Sequence, residues 1–315
     1  MRVPVIDLHS ADAARAVDEA GRSVGFMQVV NHGLQLKPLF QAIDTLFALP
    51  IAEKLALRPP HAGINRGYAP MGSEALAYSL GVDAPLPDLF EAFNLGPEQV
   101  PDDPWYRQND FFAPNLWPAV PSVRSAMDAY FLDAVQLALR LTDLFAVALA
   151  LPDRFFRPFV DRSTLTLRCN YYGGAAPKAG QLRMGAHTDY GIVTVLAADR
   201  VPGLQILHDG AWHDVMPDEG ALLVNLGDLT ALWTNDRWRS TLHRVLPGGS
   251  TRRSAALFFD GNYDARIEPL PTCVSPENPA RYAPVLAGDH LLAKVLGPRT
   301  LSRSSAFDTT GGRLA

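Results

Sequence analysis

From residue 163 onward the chain alternates apolar and polar positions in short runs divided by Gly, Pro and Asp. The runs TLTLRCNYY (164–172), GIVTVLAA (191–198), GLQILHDGAWHDV (203–215), GALLVNLGD (220–228), HRVLP (243–247) and RSAALFF (253–259) have the length and β-branched content of strands. Many short strands with such turns predict a β-sandwich or barrel. Within the third run, His208-Asp209-Gly210 lies between apolar segments and signals a hairpin. His208 and His213 flank that turn and are expected at an exposed sheet edge.

The period differs before this block. Val3 to Leu8 reads as a strand, and Ala11 to Val24 as a helix capped by Ser10 and stopped by Gly25. Phe26 to Val30 reads as a strand ending in the turn Asn31-His32-Gly33, where His32 has no acidic or second His neighbour and is read as structural. Leu36 to Leu49 reads as helix, and a short helix follows Pro50 through Leu57. Arg66 to Glu74 and Pro87 to Leu95 are punctuated by Gly and Pro and read as loops. The clearest helix is Pro121 to Leu149. Its apolar stripe of Val123, Met127, Tyr130, Phe131, Ala134, Leu137, Ala138, Leu141, Leu144, Phe145 and Ala148 predicts a scaffold packed against a sheet. Near the end, Ala287 to Leu296 reads as helix and Ser302 to Ala315 as a disordered tail.

Composition narrows the function. With 48% hydrophobic residues, the 315-residue chain can bury a large core. A net charge of −5 and the absence of a Lys/Arg run argue against nucleic acid or an anionic membrane as partner. The two cysteines, Cys169 and Cys273, are not spaced as a CxxC site. No segment has the apolar core of a signal peptide or the length of a membrane span, so a cytoplasmic protein is expected.

The candidate chemistry lies in Met184 to Val195, MGAHTDYGIVTV. His187 and Asp189, two apart in an extended segment, point the same way. With His243 from the later run STLHRV they would form a face of two His and one carboxylate, the arrangement expected of non-haem Fe(II) oxygenases. By the same period of two, Arg252 and Ser254 share a face and suit a carboxylate, while Arg253 points away. The bare residues also allow a Zn²⁺ hydrolase, although no separate catalytic Glu stands near the HxD pair. A ligand-binding jelly roll without catalysis is a third reading. Arg66, Tyr68, Phe90, Phe93 and Phe259 are candidates to line a substrate pocket of mixed aromatic and cationic character.

These segments together resemble the iron(II)- and 2-oxoglutarate-dependent dioxygenases of the isopenicillin N synthase-like branch. PVIDL and GFMQVVNHGL resemble the N-terminal region of that branch, and LRCNYY, GAHTDYGIVTVL, GLQIL with DGAWHDV, GALLVNLGD, STLHRV and RRSAALFF follow in the family's order. The resemblance covers nearly the whole chain. It implies a mainly β fold with flanking helices around a double-stranded β-helix, or jelly roll. It divides the chain into an N-terminal mixed α/β region (1–117), a scaffold helix (118–160), the catalytic core (161–275) and a C-terminal segment (276–315).

The resemblance further implies Fe(II) held by His187, Asp189 and His243. The 2-oxoglutarate cosubstrate would chelate the iron, its distal carboxylate meeting Arg252 and Ser254, with Asn170 and Tyr172 at positions that contact it. O₂ would then oxidise a C–H bond of a small molecule. Some members of the branch use no 2-oxoglutarate yet share the Arg-x-Ser element, so a cosubstrate-independent oxidase is the alternative. The branch's Pro-rich continuation of NYY is replaced here by Gly173-Gly174-Ala175-Ala176-Pro177, which is expected to alter the pocket rim.

Overall fold

A computed structural model describes residues 1–82, 86–173 and 176–302. The expected tail therefore lies almost wholly outside the described residues, as do Gly174 and Ala175 of the loop after NYY.

The N-terminal region runs β1 (Val5–Asp7), α1 (Ala13–Ser23), β2 (Phe26–Val30), α2 (Leu36–Phe47), α3 (Ile51–Leu55), β3 (Gly67–Ala69), β4 (Glu91–Leu95), α4 (Pro104–Gln108) and α5 (Pro121–Ala148). The block of strands follows as β5 (Ser163–Tyr172), β6 (Met184–His187), β7 (Val193–Ala198), β8 (Leu204–His208), β9 (Ala211–Asp214), β10 (Leu222–Leu226), α6 (Asp228–Trp233), β11 (His243–Val245) and β12 (Arg252–Asn262). The chain continues through β13 (Arg266–Ile267), β14 (Val285–Leu286) and α7 (Ala287–Thr300). None of the described helices is long and apolar enough to cross a membrane.

Two sheets form the jelly roll. The larger has eight strands in the order β1-β2-β10-β7-β12-β5-β4-β3, and the smaller has four in the order β6-β11-β8-β9. The N-terminal strands thus extend the catalytic sheet at both edges. The segment 87–95, read as a loop, contributes β4, which pairs with β5 over Glu91↔Tyr171 to Leu95↔Leu167. Its Gly/Pro punctuation marks the ends of a strand whose pairing comes from residues more than 70 positions away.

Period two divides the large sheet cleanly. On β5 and β12 the odd residues Leu167, Cys169, Ala255, Leu257 and Phe259 join the main core, where the α5 stripe is also buried. The even residues face the other way, into a cavity between the two sheets. In that helix layer, Ser10 does not cap α1 with its side chain; its carbonyl instead accepts from Ala13 N. The hairpin occurs where expected. Asp209 and Gly210 join β8 to β9 with φ of 47° and 77°, the positive values a two-residue turn of this twist needs. His208 and His213 sit on this hairpin half-buried, with β9 as the edge strand. His32 is structural: its Nδ1 accepts from Leu34 N, so Nε2 carries the proton and donates to Gly220 O at 2.8 Å.

Candidate active site

The smaller sheet brings the three candidate metal ligands together. β6 and β11 pair antiparallel with His243 directly opposite His187, and Asp189 follows two residues after His187, just beyond the strand end. The ligating atoms of all three lie within 4.8 Å of one another, and all three side chains are buried. Asp189 Oδ1 is 3.8 Å from His187 Nε2 and 3.6 Å from His243 Nε2.

The remaining atoms of each ligand are occupied, and this fixes orientation. His187 Nδ1 meets Gly185 O at 2.8 Å and His243 Nδ1 meets Thr241 O at 3.1 Å. A carbonyl only accepts, so each Nδ1 carries the proton and each Nε2 is the atom turned toward Asp189. Asp189 Oδ2 accepts from Asn225 Nδ2 at 2.6 Å and from Thr194 Oγ1, leaving Oδ1 free. Burial and the neighbouring His243 push the His187 imidazole well below its usual range, so it is neutral. Burial alone would raise Asp189, but the adjacent His243 and the two hydrogen bonds outweigh it and hold the carboxyl below its ordinary value. Two imidazoles and one carboxylate whose free ligand atoms converge fit a divalent metal, and locked outer partners are what such ligands need.

The large sheet supplies the opposite wall. The even residues Arg252, Ser254, Ala256, Phe258 and Asp260 of β12, and Thr166, Arg168, Asn170 and Tyr172 of β5, line one cavity. Arg252 pairs across the sheet with Tyr172, and Ser254 with Asn170, so the four residues expected at the cosubstrate form two adjacent cross-strand pairs. Asn170 Nδ2 is 3.5 Å from Ser254 Oγ, and the Arg252 guanidinium lies 5.1 Å from the Tyr172 ring centroid. Arg252 is only 2% exposed, and its Nε has no hydrogen-bond partner among the described residues. A buried guanidinium left unpaired at one end of a cavity fits a carboxylate ligand there.

The five residues expected at the substrate do not line this cavity. Arg66 is 1% exposed, and its guanidinium donates to the carbonyls of Asn65, Phe111 and Ala113. Tyr68 is buried and bonded to Glu91, and both it and Arg66 border a separate outer hollow with Glu74 and Arg299. Phe90 packs edge-on against Tyr172, and Phe93 lies in the main core beside Trp117. Phe259 is an odd residue of β12 and faces the helices; its neighbour Phe258 faces the cavity. Apolar lining comes instead from Phe26, Leu76, Phe111, Tyr190, Leu291 and Val295, and ionisable groups from Glu74, Arg168, Asp260 and Arg299. The parity of β12 pointed to Phe258 and Asp260, since Arg252 had already fixed the inward face. Residues of α7 carried no such signal.

A jelly roll with two His and one carboxylate on one wall and an unpaired buried guanidinium on the other defines the class of non-haem metal-dependent oxygenases. The chain belongs to the 2-oxoglutarate–Fe(II) oxygenases. The profile of the 2OG-Fe(II) oxygenase superfamily matches residues 163–261, and that of the N-terminal region of the non-haem dioxygenases in morphine synthesis matches 3–120. A 2-oxoglutarate-Fe(II) type oxidoreductase of Emericella nidulans is 33% identical over 89% of this chain and 82% of its own. A 2-oxoglutarate-dependent dioxygenase of Monascus ruber is 36% identical over 85% of each. The crystal structure of a full-length Neurospora crassa protein in complex with α-ketoglutarate and thymine superposes with a TM-score of 0.81 at 27% identity, covering 93% of this chain and 96% of that one. The protein is therefore a 2-oxoglutarate-dependent dioxygenase using Fe(II) and O₂, which sets aside the zinc-hydrolase and cosubstrate-independent alternatives.

Proposed function

We propose that the enzyme oxidises an unactivated C–H bond of a small molecule, a natural-product intermediate or amino-acid derivative. The outcome is hydroxylation, or desaturation or ring closure where a second hydrogen is removed. In hydroxylation one oxygen atom of O₂ enters succinate and the other the product, while the keto acid loses CO₂. The bound iron supplies the redox chemistry that activates O₂. His187, Asp189 and His243 would hold it, with Thr194, Asn225 and the carbonyls of Gly185 and Thr241 fixing their orientation.

Arg252 and Ser254 would hold the distal carboxylate of 2-oxoglutarate, beside Asn170 and Tyr172. The observation that carries this reading is the opposition of the buried triad and the unpaired Arg252 across one cavity. Enclosure by two sheets and α7 excludes water from the reacting atoms and favours a small molecule over a polymer. Thymine in the Neurospora structure is a ligand of that scale.

The test is succinate release from the Fe(II)-loaded enzyme with 2-oxoglutarate and O₂ across a small-molecule library, with products identified by mass. Compound-dependent succinate with gain of one oxygen or loss of two hydrogens supports the reading. Succinate that no compound raises above the enzyme's own background refutes it.

A further inference from the structure

The register of β12 separates the two ends of the cavity. Phe258 pairs with Thr194, which bonds the Asp189 carboxylate, so the metal site lies level with that pair. Arg252 and Ser254 lie to one side of that level, and Asp260 is one pleat beyond it on the other. Cosubstrate and substrate thus approach the metal from opposite ends of one strand face.

At the substrate end two ionisable side chains make no ion pair among the described residues. Asp260 is 5% exposed and lines the cavity, yet among the described residues no group donates a hydrogen bond to it or pairs with it. Its carboxyl lies against the backbone of Gly191, where an added Cβ would sit 1.6 Å from Oδ1. The absent side chain leaves space that the carboxyl fills. Arg299, near the end of α7, reaches the same cavity and has no carboxylate within 4.0 Å among the described residues. Among the described residues it donates to Asn65 Oδ1 and Ala62 O, and Asn65 in turn bonds Thr166, the cross-strand partner of Phe258. Arg168, by contrast, is paired with Glu74 at 2.8 Å, so that pair is internally neutral. Cross-strand and along-strand spacings place Asp260 and the Asn65–Thr166 contact on the order of 10 Å apart, the span of a small molecule.

We propose that the substrate carries both charges, an ammonium or amine N–H received by Asp260 and a carboxylate received by Arg299: an amino acid or a close derivative. This rests on the reading of the chain as a small-molecule oxygenase and names the chemical class of its substrate. Burial away from water disfavours an isolated carboxylate at Asp260. A substrate cation removes that penalty, and a hydrocarbon does not. Both residues are recognition groups, and neither is assigned a part in the chemistry.

The test uses enzyme loaded anaerobically with Fe(II) and 2-oxoglutarate, whose visible charge-transfer band reports the cosubstrate independently of any substrate. Two matched sets are titrated against that band: L-phenylalanine, hydrocinnamate and phenethylamine; and L-proline, cyclopentanecarboxylate and pyrrolidine. In at least one set the zwitterion is expected to bind roughly 10- to 100-fold more tightly than either singly charged analogue. Asp260→Asn should reduce its affinity to that of the acid, and Arg299→Gln to that of the amine, with Arg299→Lys partly restoring it. Thermal melts of the variants separate lost recognition from lost folding. Tighter binding of a singly charged analogue, zwitterion affinity unchanged in both variants, or no binding by any member while the band is intact overturns the proposal. A band that never forms brings down the cosubstrate reading, and this one with it.

Discussion

Replacing Arg252 by Met should weaken cosubstrate binding and leave the ligand-free protein as stable as before or more so. The side chain is 2% exposed, its Nε is unpaired, and no carboxylate lies within ion-pair distance among the described residues. Its burial is therefore offset only by the Tyr172 ring until a ligand arrives. Methionine keeps an unbranched apolar side chain of similar length beside Tyr172 and removes every donor. A guanidinium meeting a carboxylate through two charge-assisted hydrogen bonds contributes roughly 3–5 kcal/mol, so Kd for 2-oxoglutarate should rise between about a hundredfold and a few thousandfold. Removing an unpaired buried cation should stabilise the ligand-free fold by about 0–3 kcal/mol, or up to several degrees in Tm. The assay is an anaerobic titration of the charge-transfer band alongside melts without ligand. A Kd within about threefold of wild type, or a loss of more than about 2 kcal/mol, would refute the argument that Arg252 is held for a ligand.

Arg66→Met should do the reverse, because its guanidinium joins three carbonyls of two segments and lines no part of the iron-side cavity. A stability loss of about 2–4 kcal/mol with unchanged affinity for 2-oxoglutarate is expected by chemical denaturation and titration, whereas unchanged stability would contradict it. Asp260 gives a pH signature in metal-free protein. Burial and Asp189 raise its carboxyl from 3.8 to about 8, so it stays protonated in the fold while the unfolded chain ionises. Wild type should lose stability relative to Asp260→Asn as pH rises from about 4 to about 8, by at most about 1.4 kcal/mol per pH unit, and the gap should then level off. Parallel Tm curves across that range would show that Asp260 is not buried as described.

Much of this site is local in origin. His187 and Asp189 point to one side because an extended chain repeats every two residues, and Arg252 and Ser254 do so for the same reason. Asp209-Gly210 makes its turn because those residues tolerate positive φ. The apolar stripe of α5 needs only helical period to find the core. Such features depend on neighbours in the chain and could be read before any fold was known.

What lies opposite what is a different matter, because it depends on pairing between distant residues. Register puts His243 across from His187, and Arg252 and Ser254 across from Tyr172 and Asn170. Composition made Arg66 a binding candidate, whereas tertiary contacts make it a strut, since a guanidinium bonds backbone carbonyls as well as substrates. Phe259 and Phe258 have the same chemistry, and only the sheet's two faces distinguish core from cavity. Arg299 enters the site because α7 continues through Pro298 and packs over the jelly roll, a docking that no local pattern encodes. The sequence by itself therefore determined the chemistry of the ligands and the strands that carry them. The tertiary structure alone decided which ionisable groups make no ion pair at the substrate end among the described residues, because that depends on everything packed around them.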